Sequence, residues 1–163
     1  MKLKSSINLK IAIVYAMALF VLMADRLFKT IARHYPDKDI NLWPWLNFNY
    51  HANTGIAFSL PGLPLVMPLF IGLIILALGY ASLLYYKKKQ ASTGLLLSLM
   101  AAGALSNLAD RLLYGAVIDY LDVRLFICNL ADVLISLATA LLIIALVFKT
   151  EKSTNGLRAG AQK

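Results

Sequence analysis

Two aspartates in the last third of the chain, Asp119 and Asp132, have the type and placement to do chemistry. Asp119 follows one long apolar run and Asp132 lies inside the start of the next, so both are expected near a membrane surface. A carboxylate inside a membrane span costs roughly a few kcal/mol or more, so its presence needs a reason. Two adjacent carboxylates share one proton, because both cannot ionise cheaply. The ionised one could then deprotonate water while the other polarises a carbonyl oxygen, which would hydrolyse a peptide bond.

The same residues have plainer interpretations. The spacing permits contact between the two carboxylates without requiring it, and Asp132 could cap the last helix while Asp119 lies solvated in a loop. Asn129 could also be a simple helix cap. Arg111 could pair with Asp110 or a lipid phosphate, or it could brace the loop that carries Asp119.

Composition indicates a membrane protein. Hydrophobic residues make up 60% of the 163 residues and are concentrated in long runs, in what we expect to be one domain over 1–163. The net charge of +8 comes from basic clusters that flank apolar runs, with no basic face interleaved with aromatics, so we expect no nucleic-acid partner. A single cysteine, Cys128, excludes an intramolecular disulfide and a cysteine zinc cluster, and His34 and His51 offer no ligand spacing. We therefore expect no metal.

Four apolar segments are long enough to be membrane helices. The first follows a basic start, as in a secretory signal peptide, but it lacks a small-x-small cleavage site and three more spans follow, so we expect a retained helix. All three basic clusters fall on one side, which predicts that both termini are cytoplasmic. The tail is expected to be mobile. The predicted spans are about 11–31, 63–86, 91–111 and 127–148, and the tail is about 151–163.

The segment 34–61 predicts an extramembrane sheet. It is rich in aromatic residues suited to the headgroup layer, among them Trp43 and Trp45. Alternating apolar residues predict short strands around a turn at 53–55, continuing through Ile56 and Phe58. An aromatic loop that anchors the protein at the interface is the alternative.

Polar residues recur on helix faces near the same surface. Asp25 and Lys29 are four residues apart and can pair, either as an interfacial salt bridge or as a brace for a neighbouring loop. Asn107 and Arg111 share a face of the third span, and the last span carries a polar stripe that should face the bundle interior. The stripe is Asn129, Asp132, Ser136 and Thr139. The topology predicts convergence at the outer surface of Asp25, Asn53, Asn107, Arg111, Asp119 and Asp132.

Two other classes of function remain open on these residues. The intramembrane charges could form an ion or proton relay in a small transporter, although the sequence shows no internal repeat and the charges crowd one face. A membrane scaffold would leave the aspartates unexplained.

Five motifs in order resemble one known family. With Asp25 and Lys29 they are NTGIAF at 53–58, SNLADR at 106–111, VIDY at 117–120 and NLAD at 129–132. The chain resembles the bacterial lipoprotein signal peptidases (signal peptidase II), which are four-span aspartyl proteases of the inner membrane with a small outer sheet. It departs from the usual pattern at Ser106 (commonly glycine), Tyr120 (commonly phenylalanine) and Cys128 (commonly aromatic).

The resemblance implies a specific reaction and site. The substrate would be a prolipoprotein that carries diacylglycerol on its lipobox cysteine, cut immediately before that cysteine, in contact with membrane lipids and near the outer face of the inner membrane. No metal or organic cofactor is expected, globomycin-type peptides would inhibit, and nothing demands more than a monomer. The implied catalytic pair is Asp119 and Asp132; the implied substrate-binding and supporting residues are Asn53, Gly55, Asn107, Arg111, Asn129, Asp25 and Lys29.

Overall fold

Four long helices form the body of the protein, as expected for an α-helical membrane protein. The computed structural model describes residues 2–55 and 66–160. Each helix contains a stretch that is long and apolar enough to cross a membrane, and many of its large apolar side chains are exposed, for example Phe20 at 72% and Leu76 at 70%. The helices are α1 (Lys2–His34), α2 (Val66–Lys87), α3 (Ala91–Tyr114) and α4 (Leu130–Gly160). Helix α4 thus continues into the segment 151–163, whose mobility stays a prediction.

A small antiparallel sheet lies beside the helices, which confirms the predicted combination of spans and sheet. Its strands are β1 (Ile40–Trp43), β2 (Leu46–Asn53), β3 (Val117–Asp122) and β4 (Ile127–Cys128), in the spatial order β1-β2-β3-β4. The turn between β1 and β2 lies at Pro44 and Trp45, ahead of the turn expected at 53–55. The expected strand residues Ile56 and Phe58 lie outside the described residues.

Strand β3 corrects the sequence interpretation, in which 114–127 was a loop. Val117, Ile118 and Tyr120 favour strands, but all residues from Val117 to Tyr120 are buried, so the alternation that normally reveals a half-exposed strand is missing. Strand β3 pairs with β2 so that Asp119 lies opposite His51. Because Ile127 and Cys128 pair with β3, the last helix begins at Leu130 and not at 127.

The turn into β3 follows from the end of α3. Gly115 adopts a left-handed conformation (φ +74°), and its N–H donates to the carbonyl oxygen of Arg111 at 3.0 Å. Such a cap ends a helix and reverses the chain direction. Arg111 therefore lies in the last turn of α3, immediately before the strand that carries Asp119.

Helices α3 and α4 approach closely at Gly103. A Cβ at this position would lie 2.9 Å from the carbonyl oxygen of Ala131 and 2.7 Å from Cγ1 of Ile135, so only a hydrogen fits there. Small residues at helix crossings allow such approach in membrane proteins. The contact is one helical turn before Asn107 and directly beside Asp132, which brings these two side chains together.

The predicted polar stripe of α4 is wrong at Ser136. Asn129 is buried, and Asp132 and Thr139 are partly buried, but Ser136 is exposed. The hydroxyl of Thr139 donates to the carbonyl oxygen of Ile135 in its own helix at 2.7 Å. The inward face of α4 instead carries the buried small residues Ala131 and Ala138. Close helix packing, and not polarity, therefore decides which face turns inward.

Candidate active site

Asp119 is held in a buried pocket between strand β3 and helix α4. Its side chain is only 1% exposed. The Nδ2 of Asn53, at the end of β2, donates to Oδ2 at 2.9 Å, and the Nδ2 of Asn129 donates to Oδ1 at 2.6 Å. Burial raises the pKa of the Asp119 carboxyl, and the two amide donors offset part of that rise because they favour the ionised form.

Asp132 takes part in a capping box at the start of α4. The Asp132 N–H donates to Oδ1 of Asn129 at 3.0 Å, and the Asn129 N–H donates in return to Oδ2 of Asp132 at 3.3 Å. The capping interpretation of both residues is therefore confirmed. The remaining oxygen of Asp132, Oδ1, accepts a hydrogen bond from Nδ2 of Asn107 at 2.7 Å.

Asn129 joins the two carboxylates through one carboxamide group. Its oxygen accepts from the Asp132 N–H, so its nitrogen is directed at Asp119. Asn129 itself is completely buried. The sequence NLAD thus serves two purposes, because the residue that caps the helix also holds a carboxylate of the neighbouring strand beside the helix N-terminus.

Arg111 supplies positive charge near this pair. Its guanidinium packs against the backbone of Gly55, where a Cβ would lie 2.5 Å from Nη2, and Gly55 has φ +69°. The side chain is partly buried and close enough to Asp119 and Asp132 to attract both charges. The alternative pairing with Asp110 is not what forms, since Asp110 binds other cations.

Those cations are Arg26 and Lys29, which with Asp25 and Asp110 form a charge cluster that is buried except at Arg26, whose side chain is 39% exposed. Lys29 Nζ lies 3.0 Å from Oδ2 of Asp25 and 2.7 Å from Oδ2 of Asp110, and Arg26 Nη1 lies 2.7 Å from Oδ1 of Asp110. The predicted pairing of Asp25 with Lys29 is confirmed. Both residues are at most 2% exposed, so the pair is enclosed by protein.

Asp25 binds three further elements. Its Oδ2 accepts from the hydroxyl of Ser106 at 2.8 Å, and its Oδ1 accepts from the hydroxyl of Tyr120 at 3.1 Å and from the N–H of Ala131 at 3.4 Å. Two of the positions at which the sequence departs from the family pattern thus contribute hydroxyl groups to one carboxylate. Asp25 thereby joins α1 to α3, β3 and α4.

Sequence reasoning missed Arg26, and it did not foresee the contacts of Ser106 and Tyr120. A signal was available for Arg26, because it is a charged residue inside an apolar span and needs a partner there. The two hydroxyl contacts depend on elements that meet only in the folded protein.

Two further predictions concern cysteine and metal. Cys128 is buried in β4, and burial together with the nearby carboxylates raises the pKa of its thiol, which describes a packed residue and not a nucleophile. Among residues 2–55 and 66–160, no group of three His, Cys, Asp or Glu side chains is placed to hold a metal ion.

Comparison with known proteins identifies the family to which this chain belongs. The family model for signal peptidase II matches residues 17–148. A lipoprotein signal peptidase of Thermodesulfovibrio yellowstonii is 35% identical over 76% of this chain and 86% of that protein, and one of Shewanella baltica is 34% identical over 91% and 93%. A solved bacterial membrane enzyme superposes with a TM-score of 0.73 at 29% identity, covering 85% of this chain and 89% of the other. On these grounds the chain belongs to the signal peptidase II family, the lipoprotein signal peptidases.

Proposed function

We propose that the protein removes signal peptides from diacylglyceryl-modified prolipoproteins, cutting before the lipidated cysteine, with Asp119 and Asp132 as an aspartyl catalytic pair. The observation that carries the aspartyl pair is the contact of Asn129 with both residues, at 2.6 Å to the carboxylate of Asp119 and 3.0 Å to the N–H of Asp132, whereas the substrate follows from membership of the lipoprotein signal peptidase family. Both carboxylates are bound by amide groups and lie beside Arg111, as a pair that handles one proton and a developing negative charge requires.

The proposed reaction assigns one role to each carboxylate. The pair shares one proton, because burial and the proximity of the two carboxylates oppose ionisation of both, and the proposed reaction starts from the state in which Asp119 carries it. Asp132, at the N-terminus of α4, takes a proton from a water molecule, and the resulting hydroxide attacks the scissile carbonyl carbon. Asp119 hydrogen-bonds the carbonyl oxygen during the attack. Asp132 then returns its proton to the leaving amine, the C–N bond breaks, and a new carboxyl and a free amine result.

The remaining polar residues would hold the substrate. We assign Arg111 and Gly55 to the substrate backbone, because the guanidinium packs directly on this glycine within reach of the pair. Asn53 and Asn107 hold the two carboxylates, each from one side. Asp25 and Lys29 support these groups from the charge cluster.

The distribution of basic and apolar residues supports the proposed orientation of the protein in the membrane. Basic residues at 87–89 end and directly follow α2, and others are concentrated in both terminal segments, which supports cytoplasmic termini in the bacterial inner membrane and a site near the outer face. The exposed apolar surfaces of the helices would contact membrane lipids, and the substrate's signal helix and diacylglycerol would lie in the same bilayer. We assign the protein as a monomer that globomycin-type peptides inhibit at this site.

Substitution of each aspartate tests the proposal. Asp119→Asn and Asp132→Asn should each lower turnover of a diacylglyceryl-modified prolipoprotein by about 10²- to 10⁴-fold, the usual contribution of a positioned acid or base. Substrate binding should remain. Asp122→Asn is the matched control, since Asp122 lies on the same strand but its carboxylate binds the N–H of Arg124 at 2.8 Å. Normal turnover by either of the first two variants would rule out the aspartyl pair.

A further inference from the structure

Lys29 joins the charge cluster to the proposed active site, because its ammonium group contacts both the carboxylates of the cluster and the side chain of Asn107. Its ammonium nitrogen lies 3.0 Å from Asp25 Oδ2, 2.7 Å from Asp110 Oδ2 and 2.8 Å from Oδ1 of Asn107. An ammonium group has three N–H donors and no acceptor, so each donor has one partner here. The residue is 2% exposed, which leaves little access for water to replace any of these partners.

The contact with Asn107 determines which way its carboxamide faces. A carboxamide has one oxygen that accepts and one NH₂ group that donates. Because Lys29 can only donate, the oxygen of Asn107 must face Lys29 and its nitrogen must face away. That nitrogen donates to Oδ1 of Asp132 at 2.7 Å. The orientation therefore follows from donor and acceptor chemistry, although oxygen and nitrogen of an amide are similar in shape.

We propose that Lys29 is a positioning residue for the reaction, which acts through Asn107 to keep a hydrogen-bond donor directed at Asp132. Without Lys29 the carboxamide could rotate and present its oxygen to a carboxylate oxygen, two acceptors that repel. Asp132 would then lose the bond that fixes its carboxylate for proton transfer. This inference rests on the proposed role of Asp132 as the base.

Arg26 allows the positioning role of Lys29 to be distinguished from a role in charge balance alone. It binds the same two carboxylates as Lys29, at 2.7 Å from Asp110 Oδ1 and 3.5 Å from Asp25 Oδ2. Its other hydrogen bond goes to the carbonyl oxygen of Ser106 at 3.2 Å, and within the described part of the chain none joins it to Asn107. If charge balance alone matters, loss of either cation should have the same effect on turnover.

The test is a double-mutant cycle between Lys29→Met and Asn107→Ala. It is made in an Asp25→Asn background, because removal of Lys29 alone leaves two buried carboxylates with one cation and could prevent folding. In that background Asp110 faces two cations, so Lys29→Met or Arg26→Met each leaves one cation for one carboxylate. Arg26→Met is the matched control. The assay measures kcat and KM for a diacylglyceryl-modified prolipoprotein, and thermal unfolding of each purified variant establishes that it is folded.

Each single substitution of the cycle should lower kcat by about 10- to 100-fold with little change in KM, as expected for one hydrogen bond to a charged group. The double substitution should lower kcat no further than the larger single effect, because both remove the same donor. Arg26→Met should lower the unfolding temperature and keep kcat.

Four results would overturn the proposal. Independent effects that multiply in the double variant, or a Lys29→Met variant with the kcat of its background, would show that Lys29 does not act through Asn107. Equal losses of kcat from Arg26→Met and Lys29→Met would reduce both to charge balance. A fully active Asp132→Asn enzyme would remove the aspartyl mechanism and this inference with it, whereas an inactive one with an additive cycle would remove the inference alone.

Discussion

Asn129 both caps α4 and holds Asp119, and substitution can separate these two functions. Asn129→Ser keeps an oxygen that accepts from the Asp132 N–H, the bond that is now 3.0 Å long, and serine is about as good a cap as asparagine. Serine has no NH₂ group to replace the 2.6 Å bond to Asp119. Asn129→Ala loses both contacts.

The magnitudes follow from the two bonds. Loss of a hydrogen bond to a charged group costs about 1.5–3 kcal/mol, which corresponds to roughly a 10- to 150-fold lower kcat where the bond acts in the transition state. Both variants should show this loss. Asn129→Ala should lose about 1 kcal/mol more of the free energy of unfolding than Asn129→Ser, because only alanine removes the cap.

The assay is turnover of a saturating diacylglyceryl-modified prolipoprotein, together with thermal unfolding in the same detergent. We expect equal losses of kcat and a lower unfolding temperature for alanine than for serine. A serine variant with the kcat of the unchanged enzyme would refute the link between Asn129 and Asp119. Equal unfolding temperatures would refute the capping contribution.

Further predictions concern the glycines and the pH dependence. Gly55→Ala should lower turnover strongly, because the added methyl displaces the guanidinium of Arg111. Gly115→Ala is the control: it has the same left-handed strain but no described atom within 4 Å of the new Cβ, so it should lower stability alone. Gly103→Ala should separate α3 from α4 and lower both turnover and unfolding temperature, whereas Gly79→Ala, where no described atom lies within 4 Å, should change neither much. Asn53→Ala removes a hydrogen-bond donor that lowers the pKa of the Asp119 carboxyl, so that pKa should rise. The one-proton state of the pair then persists to higher pH, and the alkaline limb of the kcat–pH profile should shift to higher pH. An unchanged limb would show that this amide does not act on the pair.

Local sequence signals predicted the helices and much of the site. Apolar runs and flanking lysines give the four spans, and the i,i+4 spacing of Asp25 and Lys29 gives their ion pair. The capping signal in NLAD places Asp132 in the first turn of α4. Each of these features depends on residues within a few positions of one another.

What sequence could not predict depends on contacts between distant segments. Strand β3 is buried along Val117–Tyr120, so it shows no alternation, and its partner β2 lies more than sixty residues earlier. The binding of Asp25 by Ser106 and Tyr120 requires α1, α3 and β3 to be in place first. The outward position of Ser136 results from small residues that pack on the opposite face, which a count of polar positions does not reveal.

The most direct test of the central claim is to observe the shared proton by infrared spectroscopy of the purified enzyme near neutral pH. The proposed pair shares one proton, so the unchanged enzyme should show the C=O stretch of a protonated carboxyl that Asp119→Asn abolishes and Asp122→Asn retains. An identical protonated-carboxyl band in the Asp119→Asn variant, or no such band in the unchanged enzyme, would contradict a one-proton aspartyl pair.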